Sequence, residues 1–341
     1  MENLTDAPDY ISFEDNRLLA DLSGEHDAHL AVLEKALNVR ITPRGNRFAL
    51  VGEEDARHAA RHALQSLYDR LREGLDITLG DVRAAAAFPE DPSAADGKID
   101  RAAIKTPRKT ITARTPAQDA YIKAMGEGDL VFGVGPAGTG KTYLAVAQAV
   151  SLLQQGAVGR IILSRPAIEA GERIGFLPGD MKDKVDPYLR PLYDALYEML
   201  PAEFIERRMA SGDIEIAPLA FMRGRTLARS AVLLDEAQNA TIAQTKMFLT
   251  RLGEGAKMII TGDPTQSDLP RGETSGLSDA LYLLQGVEGV SIATFTAKDV
   301  VRHPLVARIL AKYEAREKAN GDDRRNGNGG GGGLSNQSKP S

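Results

Sequence analysis

The sequence predicts an α/β protein, with a small α+β unit followed by a larger domain built on a parallel sheet. Three observations lead there. The chain has 341 residues, and about 150 residues per domain is the usual scale. From Thr115 to about Ala315, short apolar runs alternate with helix-forming stretches, the pattern of strands covered by helices on both faces. Ahead of that region, two alternating runs flank a turn and lie between amphipathic segments, which reads as a hairpin packed on helices.

Composition narrows the class. Hydrophobic residues make up 43% and charged residues 26% of the chain, ordinary for a globular protein with a core of its own. Cysteine is absent, which excludes a disulfide framework, cysteine-ligated zinc and a thiol nucleophile. The start, Met1 to Asp6, is acidic and polar and lacks the basic and then apolar blocks of a secretory signal. No apolar run approaches the roughly 18 residues of a membrane span. A cytoplasmic chain without membrane attachment is expected. Lys and Arg number 42 against 47 Asp and Glu, a net charge of −5. That balance argues against nucleic-acid binding through overall charge and leaves only local basic surfaces for it.

In the first unit, residues 1–75, Ile11 to Phe13 reads as a strand. Leu30, Val32, Leu33, Ala36 and Leu37 recur at near-helical spacing. Val39 to Thr42 and Arg47 to Val51 form the hairpin around Arg44-Gly45-Asn46. A second helix carries the stripe Ala56, Ala60, Ala63, Leu64, Leu67 and Leu71. On its other face His58 and His62 have the spacing of a zinc pair, but no acid or cysteine completes a set.

Residues 76–114 read as a linker, with Pro89, Pro92, Gly97 and Pro107 breaking any pattern. The second half is basic, with Lys98, Arg101, Lys105, Arg108, Lys109 and Arg114. It suits a solvated connection, or alternatively a nucleic-acid contact. In the large domain, residues 115–315, the expected strands are Leu130 to Val134, Arg160 to Leu163, Ala231 to Leu234, Lys257 to Thr261 and Val290 to Phe295. Residues 316–341, with Gly329 to Gly333, are too polar to order themselves and are expected as a disordered tail.

Gly135-Pro136-Ala137-Gly138-Thr139-Gly140-Lys141-Thr142 fits G-x-x-x-x-G-K-[ST] at every fixed position. An apolar strand feeds it and a helix-forming run follows. Glycines let backbone N–H groups converge on phosphates, and the helix N-terminus adds positive potential. Lys141 is expected to reach the β- and γ-phosphates of ATP, and the Thr142 hydroxyl to ligate Mg²⁺. A second strand ends in Asp235-Glu236. Asp235 suits Mg²⁺ binding, and Glu236 is placed to orient and deprotonate a water. That pair favours hydrolysis over transfer to a small-molecule acceptor. A third strand ends in Thr261-Gly262-Asp263-Pro264-Thr265-Gln266. Ligands sit at the carboxyl ends of such strands, so Gln266 is a candidate γ-phosphate sensor, and Asp263 either supports it or shapes the turn. Thr115-Pro116-Ala117-Gln118 opens a helix, with Thr115 as cap. The Gln118 amide, donor and acceptor at once, is a candidate adenine reader.

These stretches resemble the PhoH-like family of P-loop ATPases. The resemblance spans about Arg114 to Tyr313. It rests on GPAGTGKTYLAVAQAV (Gly135 to Val150), SRPAIEAGERIGFLPGDMKDKVDPYLRPLYDAL (Ser164 to Leu196), APLAFMRGRTL (Ala217 to Leu227), LLDEAQNATIAQTKMFLTRLG (Leu233 to Gly253), TGDPTQSDLP (Thr261 to Pro270) and DVVRHPLV (Asp299 to Val306). The family's motifs are similar to those of superfamily 1 helicases, which implies a RecA-like fold. Asp235 to Gln238 then matches the Walker B element, and Gly262 to Gln266 the γ-phosphate-sensing one. Helicases carry two RecA-like domains in a chain, and this chain has room for one. The resemblance therefore implies a ring, a hexamer, in which a neighbour supplies an arginine finger. Arg302 and Arg251 are candidates, with Arg223 and Arg225 as outsiders. The first unit resembles a KH-type RNA-binding domain, with Gly24-Glu25-His26-Asp27 where a G-x-x-G loop would lie. The second glycine is missing and two acids occupy the loop, which weakens backbone clamping of RNA. Together these resemblances imply an Mg²⁺-dependent ATPase that remodels RNA or RNA–protein complexes, partnered by a ribosome-maturation endoribonuclease. The alternative is a non-translocating module whose nucleotide occupancy switches partner recruitment.

Overall fold

The computed structural model describes residues 8–89, 101–166, 181–270 and 272–300, and the single helical positions Val306, Ile309, Lys312 and Arg316. Residues up to Val300 form one compact unit and those from Val301 another. Arg302, His303, Lys98 and the expected tail from 317 onward lie outside the described residues.

The N-terminal part runs β1 (Asp9–Ser12), α1 (Leu19–Ser23), α2 (Ala28–Leu37), β2 (Arg40–Arg44), β3 (Arg47–Val51), α3 (Glu54–Arg72) and α4 (Leu79–Ala87). Its strands form an antiparallel sheet in the order β1-β3-β2. Period-two alternation turns Ile11, Ile41, Phe48 and Leu50 toward Leu30, Leu33, Leu64 and Leu67. The opposite positions, Tyr10, Arg40, Thr42, Arg44 and Arg47, are exposed. Gly24 to Asp27 stands between α1 and α2, with His26 and Asp27 in the left-handed region at φ 52° and 58°.

Residues 76–114, expected as a linker, carry more structure where they are described. Thr78 and Asp81 form a capping box at the start of α4. Val82, Ala85 and Ala86 are buried in the N-terminal core. Runs of alanine look unpatterned because small residues carry little apolar contrast, yet they let α4 pack closely on α2 and α3. Next, β4 (Ala103–Lys105) and β5 (Thr110–Thr112) form a hairpin that buries Ile104 in the core of the larger domain.

That domain continues through α5 (Pro116–Glu127), β6 (Leu130–Val134), α6 (Lys141–Gln154), β7 (Arg160–Arg165), α7 (Met181–Met199), α8 (Ala202–Ala210) and β8 (Ile214–Pro218). It is completed by β9 (Ser230–Leu234), α9 (Ile242–Leu249), β10 (Lys257–Gly262), α10 (Gly276–Leu283) and β11 (Val290–Thr294). Six strands pair in parallel in the order β11-β6-β10-β9-β7-β8. This is the RecA-like arrangement, with one strand between the P-loop strand and the strand ending in Asp235. All five expected strands form, and β8 adds an edge strand the sequence reading did not include. Alternate residues feed two cores. Val131, Ile161, Leu163, Leu233 and Ile259 meet α5, α6 and α7 on one face. Phe132, Ile162, Val232, Leu234 and Ile260 meet α9 and α10 on the other. Among the described residues, no helix is long and apolar enough to cross a membrane.

One close approach fixes α5 on this sheet. A Cβ at Gly133 of β6 would lie 2.7 Å from the Tyr121 ring. That ring is fully buried and edge-on to Phe295, with centroids 5.5 Å apart. Gly133→Ala should therefore cost about 1–3 kcal/mol, the scale of overpacking, read as a lower urea midpoint at unchanged slope. An unchanged midpoint would show that Tyr121 moves aside freely.

Candidate active site

Because all six strands run parallel, the residues that end β6, β7, β9 and β10 gather at one edge, where open α/β sheets bind their ligands. The loop after β6 is built by its glycines. Gly135 has φ 137°, and a Cβ there would run into the Phe295 carbonyl oxygen. Its N–H donates to the Gly262 carbonyl at 3.1 Å, tying the loop to β10. Gly140, at φ 86°, is the N-cap of α6, so the helix N-terminus points its free N–H groups into the loop. Lys141 folds back over the loop. Its Nζ donates to the carbonyls of Gly135 at 2.6 Å and Pro136 at 2.8 Å. Thr139 Oγ1 donates to the Pro136 carbonyl at 3.0 Å. Ala137 and Gly138 form the exposed tip.

Strand order explains the next contact. Since β10 lies between β6 and β9, its Thr261 stands beside Asp235 at the end of β9. Thr142 Oγ1 and Thr261 Oγ1 both donate to Asp235 Oδ1, each at 2.7 Å. Asp235 is 3% exposed, and its N–H donates to the Ser164 carbonyl of β7 at 2.9 Å. A carboxylate and a hydroxyl at one point are hard oxygen donors, the set Mg²⁺ takes alongside waters and phosphate oxygens. The residues present therefore fit Mg²⁺ and a nucleotide triphosphate.

Glu236 follows in the left-handed region at φ 52°, ψ 41°. A non-glycine residue there carries about 1–3 kcal/mol of strain, held by its surroundings. Arg165 at the end of β7 places NH2 3.2 Å from Glu236 Oε1. The Gln238 amide donates to Glu236 Oε2, while its own oxygen accepts from the Asp263 N–H at 3.0 Å. Gly262 leaves room for that amide, since a Cβ there would lie 2.5 Å from Gln238 Oε1. Asp263 shapes a turn, with Oδ1 accepting from the Thr265 N–H at 3.0 Å and hydroxyl at 2.7 Å. That turn carries Gln266, whose side chain is exposed. Arg165 is a contact the sequence reading does not raise, whereas Gln238 and Thr261 lie in motifs it names without giving them a role of their own. The rule that strand ends converge points to Thr261, which closes an expected strand, and to Arg165, which lies two residues past the expected end of another at Leu163.

Gln118 is buried behind the P-loop. Its Oε1 accepts from the Arg114 N–H at 2.8 Å, and its Nε2 donates to the Thr139 carbonyl at 3.0 Å. The candidate finger arginines differ. Arg251 donates to the carbonyls of Met247 and Arg225 at 3.0 and 3.1 Å. Both terminal nitrogens of Arg225 bind Glu215 at 2.7 Å. Arg223 is exposed. Of the basic run after residue 100, Arg108 binds the Tyr197 carbonyl, Lys109 binds Glu198 and Arg114 binds Asp81, while Lys105 is exposed. His58 and His62 stand with Nε2 atoms 3.3 Å apart. Among the described residues, no group of three or more His, Cys, Asp or Glu could hold a metal.

A family model described as PhoH-like protein matches residues 110–314. The PhoH-like protein of Bacillus subtilis (strain 168) is 51% identical over 296 residues, which cover 86% of this chain and 93% of that one. The PhoH-like protein of Mycobacterium tuberculosis (strain ATCC 25618 / H37Rv) is 46% identical over 306 residues, 88% of this chain and 86% of its own. Protein PhoH of Escherichia coli (strain K12) is 50% identical over 205 residues, 60% of this chain and 58% of its own.

Proposed function

The chain belongs to the PhoH-like family, a P-loop nucleotide-binding family, and from that premise we propose that it is an Mg²⁺-dependent ATPase acting on RNA or RNA–protein complexes. The observation that carries the ATPase reading is the junction of Thr142, Thr261 and Asp235 beside the P-loop, with Glu236 next in chain. In this reading the loop N–H groups and Lys141 bind the phosphates, Lys141 exchanging its carbonyl partners for β- and γ-phosphate oxygens. Thr142 and Asp235 hold Mg²⁺, which when bound neutralises phosphate charge. Glu236 accepts the proton of the attacking water. Arg165 and Gln238 hold its carboxylate in one orientation. Gln266 senses the γ-phosphate from the loop after β10. An amide has two N–H donors and an oxygen with two lone pairs, so Gln118 keeps one of each for adenine while bracing the loop.

The RNA part rests on the N-terminal unit. Its β-α-α-β-β-α order and the loop between α1 and α2 support a KH-like reading. Glu25 and Asp27 weaken phosphate binding at that loop. The outer sheet face compensates with exposed Arg40, Arg44 and Arg47 and an exposed Tyr10, whose ring centroid is 5.9 Å from the Arg47 guanidinium. Cations beside an aromatic ring suit single-stranded nucleic acid. We assign the protein to the cytoplasm and to a hexameric ring, with an endoribonuclease as protein partner.

Phosphate release from Mg·ATP, measured with and without single-stranded RNA, tests the proposal. Lys141→Ala should weaken nucleotide binding about 10- to 100-fold, the scale of a lost hydrogen bond to a charged group. Unchanged affinity in that variant would remove the P-loop from the account. Nucleotide binding without turnover, joined to nucleotide-dependent partner capture, would favour a recruitment switch instead.

A further inference from the structure

A buried charge cluster joins the N-terminal unit to the segment that leads into α5. Asp81, at the start of α4, is 4% exposed and Arg70, on α3, is 7% exposed. Asp81 Oδ1 lies 3.2 Å from Arg70 NH2 and 3.0 Å from Arg114 Nε. Asp81 Oδ2 accepts from the Thr78 N–H at 2.9 Å, and Arg114 NH2 donates to Thr78 Oγ1 at 3.3 Å. Burial would raise the Asp81 carboxyl. The Arg70 and Arg114 charges, with the Thr78 hydrogen bonds, outweigh it and hold the group below the ordinary carboxylate range. Buried ion pairs of this kind gain little net stability over apolar packing, but removing one partner is costly. Their value lies in fixed geometry.

Arg114 is held at both ends. Its side chain binds Asp81 and its backbone N–H donates to Gln118 Oε1 at 2.8 Å. Gln118 Nε2 in turn holds the Thr139 carbonyl at 3.0 Å. Thr139 Oγ1 lies 3.4 Å from Lys141 Nζ. Each link is a single hydrogen bond or ion pair, and the chain of contacts runs from α4 to the phosphate-binding lysine. Displacing the Arg114 guanidinium shifts the backbone that orients Gln118, and with it the Thr139 carbonyl.

From this geometry we propose that Asp81 is a positioning residue for the P-loop, acting through Arg114 and Gln118, so that the state of the N-terminal unit sets nucleotide affinity. The proposal rests on the nucleotide-site reading above. It gives the first 89 residues a role beyond carrying a partner. Whatever shifts α4 relative to residue 114 changes how tightly the loop holds phosphate.

The test is a double-mutant cycle in the full chain. Asp81→Asn, nearly isosteric, should weaken Mg·ADP binding about 5-fold or more, the lower range of coupling between sites. In a Gln118→Ala background the same substitution should lose its effect on affinity while keeping its effect on the melting temperature. A merely structural contact would lower melting in both backgrounds and leave affinity alone. If Asp81→Asn does not fold, Arg114→Lys is read in the same cycle, since it keeps the charge and loses the guanidinium fork. A folded variant with wild-type ADP affinity, or equal losses in both backgrounds, overturns the proposal. Failure of the unmodified chain to bind ADP overturns the nucleotide-site reading first, and this inference with it.

Discussion

Glu236→Gln should leave ATP bound and slow hydrolysis about 10²- to 10⁴-fold, the usual contribution of a positioned general base. The substitution keeps the shape of the side chain and removes only its capacity to take a proton. The hydrogen bond from Gln238 can pass to the new amide oxygen, so the geometry around Gly262 and Asp263 is retained. The ion pair with Arg165 is lost, but Arg165 also donates to the Tyr188 carbonyl at 3.1 Å and remains anchored. Binding should be spared, because Lys141 keeps its place over the loop at Gly135 and Pro136, and Thr142 and Asp235 keep their bond to each other and to Thr261. Single-turnover rates beside equilibrium binding separate the two quantities. Loss of binding with proportionate loss of turnover would show that Glu236 shapes the pocket and does not take the proton.

The parts of this site that were legible in the sequence are those encoded by local chemistry. The loop from Gly135 to Thr142 is readable because its glycines and its helix start are consecutive. Asp235 and Glu236 are readable because they end a run buried on both faces, Ser230–Leu234. What joins them is not local. Thr261 meets Asp235 only because β10 lies between β6 and β9, and no sequence spacing states that order. Arg165 reaches Glu236 for the same reason, since β7 pairs with β9. Gln118 shows a further limit. Its place after a Thr-Pro helix start was clear, but its contact with Thr139 depends on how α5 docks. In the fold, β8 escapes the sequence reading because Glu215 interrupts its apolar residues, Pro218 ends it and its burial at the sheet edge is irregular. Helix α4 was missed because alanines give weak periodicity.

The second large effect is expected between chains. One RecA-like sheet leaves the γ-phosphate open on the side where helicases place their second domain, and an arginine inserted there is worth about 10³–10⁵ in rate. Two of the candidate arginines already hold partners within the chain. Arg225 is bound at both terminal nitrogens by Glu215, and Arg251 is spent on carbonyls at the end of α9. Freeing either would cost those bonds. Arg223 is exposed and follows the short turn Leu219–Met222, which packs on α9 and β8. Arg302, in the Val301-Arg302-His303-Pro304 stretch, is the finger we propose. Arg302→Ala should slow hydrolysis on that scale while sparing ATP binding, and turnover per subunit of the unmodified chain should rise with protein concentration as rings form. Mixing Arg302→Ala with Lys141→Ala chains should restore part of the activity, because an intact P-loop can then face an intact arginine from its neighbour. No restoration in mixed assemblies of confirmed mass, or turnover per subunit independent of concentration in a monomer, would rule out a site completed by Arg302 of a second copy.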